Sequence, residues 1–401
     1  METTTYKISD IGEVVGGGTP STANSDFWGG DIPWISPKDL TGYKSVYISH
    51  GESFLTKTGL KSGTKLLPKG TVLFSSRAPI GYVAIASNPI CTNQGFKSII
   101  CNKEIINPLF LYYYIKGNLD YIKLFGTGAT FPEISGAAMR KIKVQIPTLP
   151  TQQKIASILS SYDRLIENNT RRIRLLEQMA ENLYKEWFVR FRFPEHENIE
   201  MVNRLPKGWK RTKLIKNIKT SSGGTPSRNK GEYYKNGTIP WIKTGELQDC
   251  ILINTEECIT EDAVNNSSAK LFPKGTLLMS MYGVNVGKLG ISEIEATCNQ
   301  ACCVFTPKHI DYKYYLFHYL KSIREYLLSI SFGAAQQNLS QELIKSIRVL
   351  FPDEETNISF VKEVQPLFKE ISIIQQQNQL LTRQRDLLLP RLMSGKLEVK
   401  S

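Results

Sequence analysis

Two long stretches of the chain carry apolar residues at spacings of three and four positions, one from about Thr151 to Arg190 and one from about Asn357 to Met393. Such heptad-like stripes, sustained over several turns, predict two long amphipathic helices. Pro366 and Pro390 predict a kink or a boundary in the second helix. The positions expected to pack helix against helix are Ile155, Tyr162, Leu165, Leu176, Leu183, Val364, Leu367, Ile371, Ile374, Leu381 and Leu388.

A helix of about 40 residues is a rod of about 60 Å, and its apolar stripe must be buried against something. The first helix leads from a first globular segment to a second, and the second helix leaves that second segment. We therefore predict an antiparallel coiled-coil pair that separates two globular units. The alternative is that each helix packs only on its own unit.

The segments outside the helices indicate a mixed α/β fold. Short β-rich runs such as "TVLFSS", "GYVAIA" and "FKSIICN" alternate with Gly, Pro and Asn turns, whereas "NPLFLYYYIKGNLDYIKLF" has helical periodicity. The expected division is a first globular domain at 1–150 and a first long helix at 151–192. A linker with a second globular domain follows at 193–352, and a second long helix with a C-terminal tail at 353–401.

The two globular segments are copies of one another. "GGGTPS…IPWIS" near the N-terminus returns as "SGGTPS…IPWIK", so that Thr19 corresponds to Thr225, 206 positions later. Pro-Lys-Gly-Thr at 68 and 273 and Asn-Gln at 93 and 299 recur in the same order. Offsets that drift by one residue indicate duplication with small loop insertions, which predicts an internal repeat with pseudo-two-fold character.

Charge points to a polyanionic partner. The chain has 50 Lys and Arg residues against 37 Asp and Glu, a net charge of +13. Double-stranded nucleic acid is the favoured partner, since basic residues near phosphates release condensed counterions. No apolar run reaches membrane-spanning length and the N-terminus does not resemble a signal peptide, so we expect a cytoplasmic protein with no membrane partner.

Motifs for catalysis and for cofactors do not emerge from the sequence. The glycine stretch lacks the Gly-Lys-Ser/Thr of a nucleotide-binding loop, and "NPLF" at 107–110 lacks the second proline of an adenine methyltransferase loop. The seven cysteines form no CxxC pair and predict reduced thiols rather than a metal site. We therefore expect a protein that is not an enzyme and has neither a cofactor nor a metal.

The repeated loops are instead candidates for DNA contact. Glycine lets backbone N–H groups approach phosphates, Asn and Gln can bind adenine edges, and Arg can bind guanine. The candidates in the first unit are Thr19, Ser21, Lys38, Ser76, Arg77, Asn93, Gln94, Thr127 and Thr130. Those in the second unit are Thr225, Ser227, Arg228, Lys243, Tyr282, Asn285, Asn299, Gln300, Gln336, Gln337 and Asn338.

Each candidate has a structural alternative. Gly-Thr-Pro-Ser can be a turn that caps a strand, and Asn93 and Asn299 can hold their own loops together. Trp34 and Trp241 are more typical of core residues than of residues that stack on bases.

The order and duplication of these motifs resemble the specificity (S) subunits of type I restriction–modification systems. The resemblance rests on the repeated blocks, on "IPTLPTQQKIASILSSYDRLIENN" at the first helix and on "LLLPRLMSGKLEV" near the C-terminus. The start of the second helix, "FPDEETNISFVKEV", departs from the pattern of the first.

The resemblance implies two target recognition domains that each bind half of a split, asymmetric DNA site, with the helices as a ruler between them. It also implies two modification (adenine methyltransferase) subunits and restriction subunits as partners. A drifted DNA methyltransferase and a coiled-coil scaffold that does not bind DNA remain as alternatives.

Overall fold

A computed structural model describes residues 2–128, 130, 132–330 and 338–399 of the chain. The chain divides into two compact units. Unit 1 comprises Met1–Asn168 with Asn378–Ser401, and unit 2 comprises Asn169–Gln377. Each unit therefore contains one globular part and a segment of each long helix.

Unit 1 contains ten strands in three sheets, with strand orders β2-β9-β6-β7-β4, β5-β3-β8 and β1-β10. The strands are β1 (Thr4–Lys7), β2 (Gly12–Gly16), β3 (Trp28–Ile35), β4 (Tyr47–Ile48), β5 (Ser53–Leu55), β6 (Val72–Phe74), β7 (Val83–Ala86), β8 (Cys91–Thr92), β9 (Lys97–Cys101) and β10 (Lys143–Ile146). The short helices are α1 (Ile8–Ile11), α2 (Lys57–Lys61), α3 (Pro108–Gly117), α4 (Leu119–Lys123) and α5 (Gly136–Lys141). The first long helix, α6 (Leu149–Tyr184), follows and continues as a π-helical segment, Lys185–Val189.

Unit 2 repeats this topology strand for strand, with orders β14-β21-β18-β19-β16, β17-β15-β20 and β13-β22. A hairpin of β11 (Met201–Val202) and β12 (Leu205–Pro206) precedes the repeated part. The other strands are β13 (Lys210–Lys213), β14 (Ile218–Ser222), β15 (Ile239–Ile242), β16 (Cys250–Leu252), β17 (Cys258–Ile259), β18 (Leu277–Ser280), β19 (Leu289–Ser292), β20 (Thr297–Cys298), β21 (Cys302–Pro307) and β22 (Arg348–Phe351). The helices are α7 (Glu261–Asn265), α8 (Lys313–Ser322), α9 (Arg324–Ile330), α10 (Gln341–Ser346) and the second long helix, α11 (Glu354–Met393). The predicted α/β fold with an internal repeat is confirmed.

The central strand of each five-stranded sheet is buried on both faces. In β6, Val72 and Phe74 belong to one apolar cluster and Leu73 belongs to another. In β18, Leu277 and Leu278 divide between two clusters in the same way. Since side chains alternate along a strand, a continuous apolar run of this kind fills a core above and a core below the sheet.

The second long helix differs from the sequence-based expectation at two points. It begins at Glu354 rather than near Asn357, because Asp353 accepts the backbone N–H of Thr356 at 2.9 Å and so caps the N-terminus. The helix also continues through Pro366 and Pro390 to Met393, so the expected boundary at a proline is wrong.

The two long helices run antiparallel in unit 2, as predicted. In unit 2, Arg172 forms an ion pair with Glu370 at 2.9 Å, and further along the first helix the ring centroids of Trp187 and Phe360 lie 5.7 Å apart. The advance from 172 to 187 on one helix accompanies a return from 370 to 360 on the other. The same helices also enter the cores of the globular parts.

The buried stripe includes most of the expected positions. In unit 1, Ile155 is fully buried and Leu388 packs against the core cluster that contains it. Leu165 is 51% exposed, so its expected burial is wrong, whereas the expected Tyr162 and the adjacent Ile166 are half-buried. In unit 2 the expected positions that are buried or pack against the core are Leu176, Leu183, Val364, Leu367, Ile371 and Ile374, while Leu381 of unit 1 is half-buried.

The alternative that each long helix packs only on the globular part preceding it is wrong. In unit 2, Ala180, Tyr184 and Phe188 of the first long helix and its π-helical extension belong to the main core cluster. In unit 1, Leu392 of α11 is buried in the core cluster, 1% exposed. Among the described residues, no helix is both long and apolar enough to cross a membrane.

We predict that Asp353→Ala lowers the free energy of unfolding by about 1–2 kcal/mol, because the helix loses its N-terminal cap. The same carboxylate also accepts the indole N–H of Trp209 at 2.9 Å. Chemical denaturation measures the effect. Asp353→Asn, which keeps the accepting oxygen, is the matched control and should lose less; equal losses in the two variants would contradict the capping role.

Candidate nucleic-acid interface

The repeated glycine loop of unit 1 lies directly on strand β8 and the residue after it. The backbone N–H of Gly18 donates to the carbonyl of Thr92 at 2.8 Å. A Cβ on Gly17 would lie 1.9 Å from the carbonyl oxygen of Asn93, and one on Gly18 would lie 1.8 Å from that of Gly63. These positions need glycine because two backbones approach too closely for any side chain.

Trp34 also binds this loop. Its indole Nε1 donates to the carbonyl of Gly18 at 2.9 Å. The residue that ends the repeated "IPW" block therefore binds the residue that precedes the repeated "TPS" block, which explains why the two blocks recur together.

Unit 2 reproduces the arrangement. The N–H of Gly224 donates to the carbonyl of Cys298 at 2.9 Å, and a Cβ on Gly223 would lie 1.8 Å from that same oxygen. Trp241, which is 2% exposed, donates its indole N–H to Gly224 at 3.0 Å. The expectation that these glycines bring N–H groups to phosphates is wrong for Gly18 and Gly224, because their N–H groups are bound within the fold.

Four candidates that both units share are engaged with one another. Thr19 donates its hydroxyl to the side-chain oxygen of Gln94, and Thr225 does the same to Gln300. These paired side chains lie at the surface.

The two asparagines of the repeated Asn-Gln block hold their own turns. Asn93 accepts the backbone N–H of Gly95 at 2.8 Å, and Asn299 accepts that of Ala301 at 3.2 Å. This geometry supports the alternative in which both asparagines stabilise the loops.

An open groove of about 1100 Å³ in unit 1 brings several predicted residues together. Lys38, Arg77 and Asn93 all line it. Arg77 lies 3.5 Å from Glu133, which also pairs with Lys97 at 3.2 Å. The remaining lining residues are Ser36, Pro37, Ala78, Pro79, Ile80, Gly95, Lys123, Pro132 and Glu133.

Ser76 is not part of the groove surface. It is 0% exposed and donates its hydroxyl to the carbonyl of Gly95 at 3.1 Å. Its predicted contact with DNA is therefore wrong, because the residue lies inside the sheet edge that carries Arg77. The other candidates of unit 1, namely Ser21, Thr127 and Thr130, are exposed.

The corresponding edge of unit 2 has the same backbone contacts. In unit 1 the N–H of Ser76 donates to Gly95 at 2.7 Å and its carbonyl accepts the N–H of Ile134 at 3.0 Å. In unit 2 the N–H of Met281 donates to Ala301 at 2.8 Å, and its carbonyl accepts the N–H of Leu339 at 2.9 Å. Tyr282 therefore stands where unit 1 has Arg77, and Asn338 stands where it has Glu133.

The side chains at this edge of unit 2 carry no charge where unit 1 has an ion pair. Tyr282 is 39% exposed and Asn338 is exposed, whereas Asn285 donates to the carbonyls of Thr244 and Gly245 at 3.1 Å. Val284 is fully exposed. The predicted Gln336 and Gln337 lie outside the described residues.

Arg228 and Lys243 are held by carboxylates. The Arg228 guanidinium lies 4.2 Å from the Tyr234 ring centroid and bonds to Glu257 through two nitrogens, one of them at 3.0 Å. Lys243 lies 3.1 Å from Glu256. Ser227 is exposed beside them.

Sequence reasoning missed Glu133, Lys97, Lys123 and Val284. One signal was present: the offset between the repeats changes from 205 at Ser75 to 206 at Gly81, which places an inserted residue in the loop that contains Val284. The ion pairs of Glu133 had no comparable signal, because Arg77 and Lys97 are distant from it in the chain.

The "NPLF" stretch and the possible metal ligands are placed as follows. Asn107 of "NPLF" caps helix α3, accepting the N–H groups of Leu109 and Phe110 at 3.0 Å. Its side chain therefore has a structural role. Within the described ranges, no group of three or more His, Cys, Asp and Glu side chains is placed to hold a metal ion.

Comparisons with known proteins agree on one family. A family model described as "Type I restriction modification DNA specificity domain" matches residues 1–178 and again 206–383. The chain is 36% identical to the type I restriction enzyme MjaIX specificity subunit of Methanocaldococcus jannaschii, over 98% of this chain and 93% of that protein. It is 26% identical to the HindI specificity subunit of Haemophilus influenzae, over 83% and 88% of the two chains.

A solved structure shows the same fold. The crystal structure of a type I restriction–modification S subunit from M. genitalium superposes with a TM-score of 0.64 at 16% identity, covering 100% of this chain and 97% of that one.

The packing role of the glycine loop leads to a prediction. Gly18→Ala should lower the free energy of unfolding by about 1–3 kcal/mol or more, because the new methyl group meets a backbone carbonyl. Thermal denaturation checks it. Gly16→Ala is the matched control two residues earlier, where a Cβ meets nothing within 4 Å; a comparable loss in both variants would refute the close-contact explanation.

Proposed function

Because the chain belongs to the type I restriction modification DNA specificity family, we propose that its two units bind the two halves of a bipartite, asymmetric double-stranded DNA site. The chain is a specificity subunit and as such a non-catalytic component of its system. The finer statements that follow concern how it binds DNA and which subunits it assembles with.

The proposal rests on one edge of each unit, where the backbone hydrogen bonds are the same but the side chains differ. Ser76 and Met281 make equivalent backbone hydrogen bonds in the two units, yet the next residue is Arg77 in one and Tyr282 in the other. Two copies that bound the same bases would have no need of different chemistry at one matched position. Two copies that bind different half-sites require it.

In unit 1 the proposed surface is the groove that contains Arg77. An arginine can donate two hydrogen bonds to O6 and N7 of guanine in the major groove, and a carboxylate such as Glu133 can accept from the amino group of cytosine. The two side chains can therefore exchange their mutual ion pair for bonds to a G·C pair. Lys38 and Lys123 at the groove margin would bind phosphates, which fix position without specifying sequence.

In unit 2 the proposed surface has apolar and amide groups. Val284, being fully exposed, can contact the methyl group of thymine, and Asn338 can bond to an adenine edge. Tyr282 lies beside them. Gln336 and Gln337 stay candidates on the basis of the sequence. Unit 2 is thus proposed to prefer A·T pairs at positions where unit 1 prefers G·C pairs.

The division of labour along the chain is also a proposal. Residues 1–150 and 193–352 are proposed to contain the two target recognition domains, with 151–192 and 353–401 as spacer helices. We propose that the chain recruits two modification subunits, which methylate adenine, and restriction subunits. No catalytic group of its own takes part.

Arg77→Ala should relax the target sequence in one half-site only. The loss of bidentate recognition is expected to reduce discrimination at one base pair by about five- to 150-fold. Sequencing of methylated adenines in DNA modified by the chain with its modification subunits measures this. Tyr282→Ala is the matched variant and should alter the other half-site; relaxation of both halves by either variant would count against the assignment.

Exchange of residues 1–150 for those of a relative should replace one half of the methylated motif and leave the other intact. The reason is that the matched surfaces belong to separate compact units. The same sequencing reports the result. A hybrid whose motif changes in both halves would show that the two units do not act independently.

A further inference from the structure

A buried polar cluster in unit 1 is built around Arg385 of the second long helix. The Arg385 guanidinium bonds to Asp163, which also accepts the hydroxyl of Tyr113. The Arg385 and Asp163 side chains are only 17% and 10% exposed. The Arg385 side chain is therefore largely buried, and its charge is balanced by the carboxylate of Asp163.

All three positions of this cluster have counterparts 205 residues away in unit 2. The helices α3 and α8 begin at 108 and 313, and the two long helices begin at 149 and 354, so one offset relates both pairs of helices. Tyr113 corresponds to His318 and Asp163 to Phe368. Arg385 corresponds to Ala180.

The replacement of arginine by alanine accompanies a cavity in unit 2. Ala180, His318 and Phe368 all line a cavity of about 280 Å³, together with Phe317 and Ile371. The rim is formed by Glu177, Gln248, Asp249, Cys250, Ile251 and Lys321. The volume is larger than a single water molecule requires.

His318 is the buried polar group of this cavity. It is 4% exposed, and neither Nδ1 nor Nε2 has a hydrogen-bond partner among the described residues. Burial, with a smaller contribution from Lys321, lowers the pKa of His318 to about 3. The ring is therefore neutral at pH 7, and one of its nitrogens can accept a hydrogen bond from a cation without charge repulsion.

Of the two carboxylates that line the cavity, Asp249 is ion-paired and Glu177 is not. Asp249 is matched by Lys288 at 3.2 Å and by Arg324, and Lys321 is matched by Glu181 at 2.8 Å. Glu177 forms no ion pair within 4 Å among the residues that the structure describes, although the charges of Lys321 and Arg174 act on it from farther away. Two phenylalanine rings complete a site that favours a flat cation with several donors.

We propose that this cavity binds the guanidinium group of an arginine side chain supplied by a polypeptide partner of the complex. The occupant is inferred from unit 1, where the chain's own arginine fills the matched position from a packed helix. His318 would accept one N–H of the entering group and Glu177 would face its charge. The identity of the partner as a subunit that assembles with this chain rests on the proposed function.

The test uses the full chain and agmatine, which carries a guanidinium group on a short alkyl stem, in isothermal titration calorimetry. The expected result is one agmatine site per chain and no binding of n-butylamine, which has an ammonium group instead. Ala180→Arg should abolish agmatine binding, since the chain's own guanidinium then fills the site. No agmatine binding, or equal binding by the wild type and the variant, would overturn the proposal.

Two further variants keep the test decisive if Ala180→Arg fails to fold. Glu177→Gln, at an exposed position, should weaken agmatine binding by about two- to fivefold, as expected for loss of an exposed ion pair. Arg385→Ala opens the matched position of unit 1 beside Asp163, so it should raise the number of agmatine sites from one to two. An unchanged affinity in the first variant or an unchanged stoichiometry in the second would contradict the assignment.

The source of the arginine is tested by assembly with the modification subunits in size-exclusion chromatography. A partner arginine predicts that Ala180→Arg and 10 mM agmatine each reduce assembly of the complex, roughly in proportion to site occupancy. Unimpaired assembly would overturn the partner assignment. Sequence-specific DNA binding by the wild-type complex is a separate readout, so failure of the proposed DNA function and failure of this site can be told apart.

Discussion

Both units depend on one close contact, in which the glycine loop packs against strand β8 in unit 1 and against strand β20 in unit 2. The loop lies so close to that strand that a single methyl group on Gly17 or Gly223 would overlap a carbonyl oxygen. Because the N–H groups of Gly18 and Gly224 are used in this contact, they are not free to bind a phosphate. The indole N–H groups of Trp34 and Trp241 donate to the carbonyls of Gly18 and Gly224 and so hold the same loops. A side chain at these positions would destabilise the fold, which explains why the glycines are present in both copies.

A rigid frame of this type frees the neighbouring edge to vary. Ser76 and Met281 differ completely in chemistry, yet their backbone groups make the same bonds. The frame therefore positions the next residue through the same backbone hydrogen bonds in both units, although that residue is Arg77 in one and Tyr282 in the other. The proposed recognition residues thus lie where the two copies share backbone geometry and differ in side-chain chemistry.

The same logic extends to the long helices. In unit 1 the two long helices are joined by the bond between Arg385 and Asp163. At the matched positions of unit 2, Ala180 and Phe368 line a cavity. The largely buried arginine of unit 1 is tolerated because it pairs with the carboxylate of Asp163, which in turn accepts the hydroxyl of Tyr113. Unit 2 has Phe368 and Ala180 in place of the carboxylate and the arginine, and the imidazole of His318 has no hydrogen-bond partner among the described residues. Divergence between the copies has thus altered interior positions as well as the surface.

Periodicity and repetition are properties of the chain order, so the amino-acid sequence was enough to predict the duplication, the α/β character and the two long helices. It also suggested Arg77, Lys38 and Asn93, which do line one groove. Only the tertiary structure decided that Ser76 is buried, that Leu165 is exposed and that Asp353 moves the helix start to Glu354. It alone assigned the glycine N–H groups to Thr92 and Cys298. The reason is physical: a hydrogen-bond partner or a buried face depends on which distant segments meet in space, and no local pattern encodes that meeting.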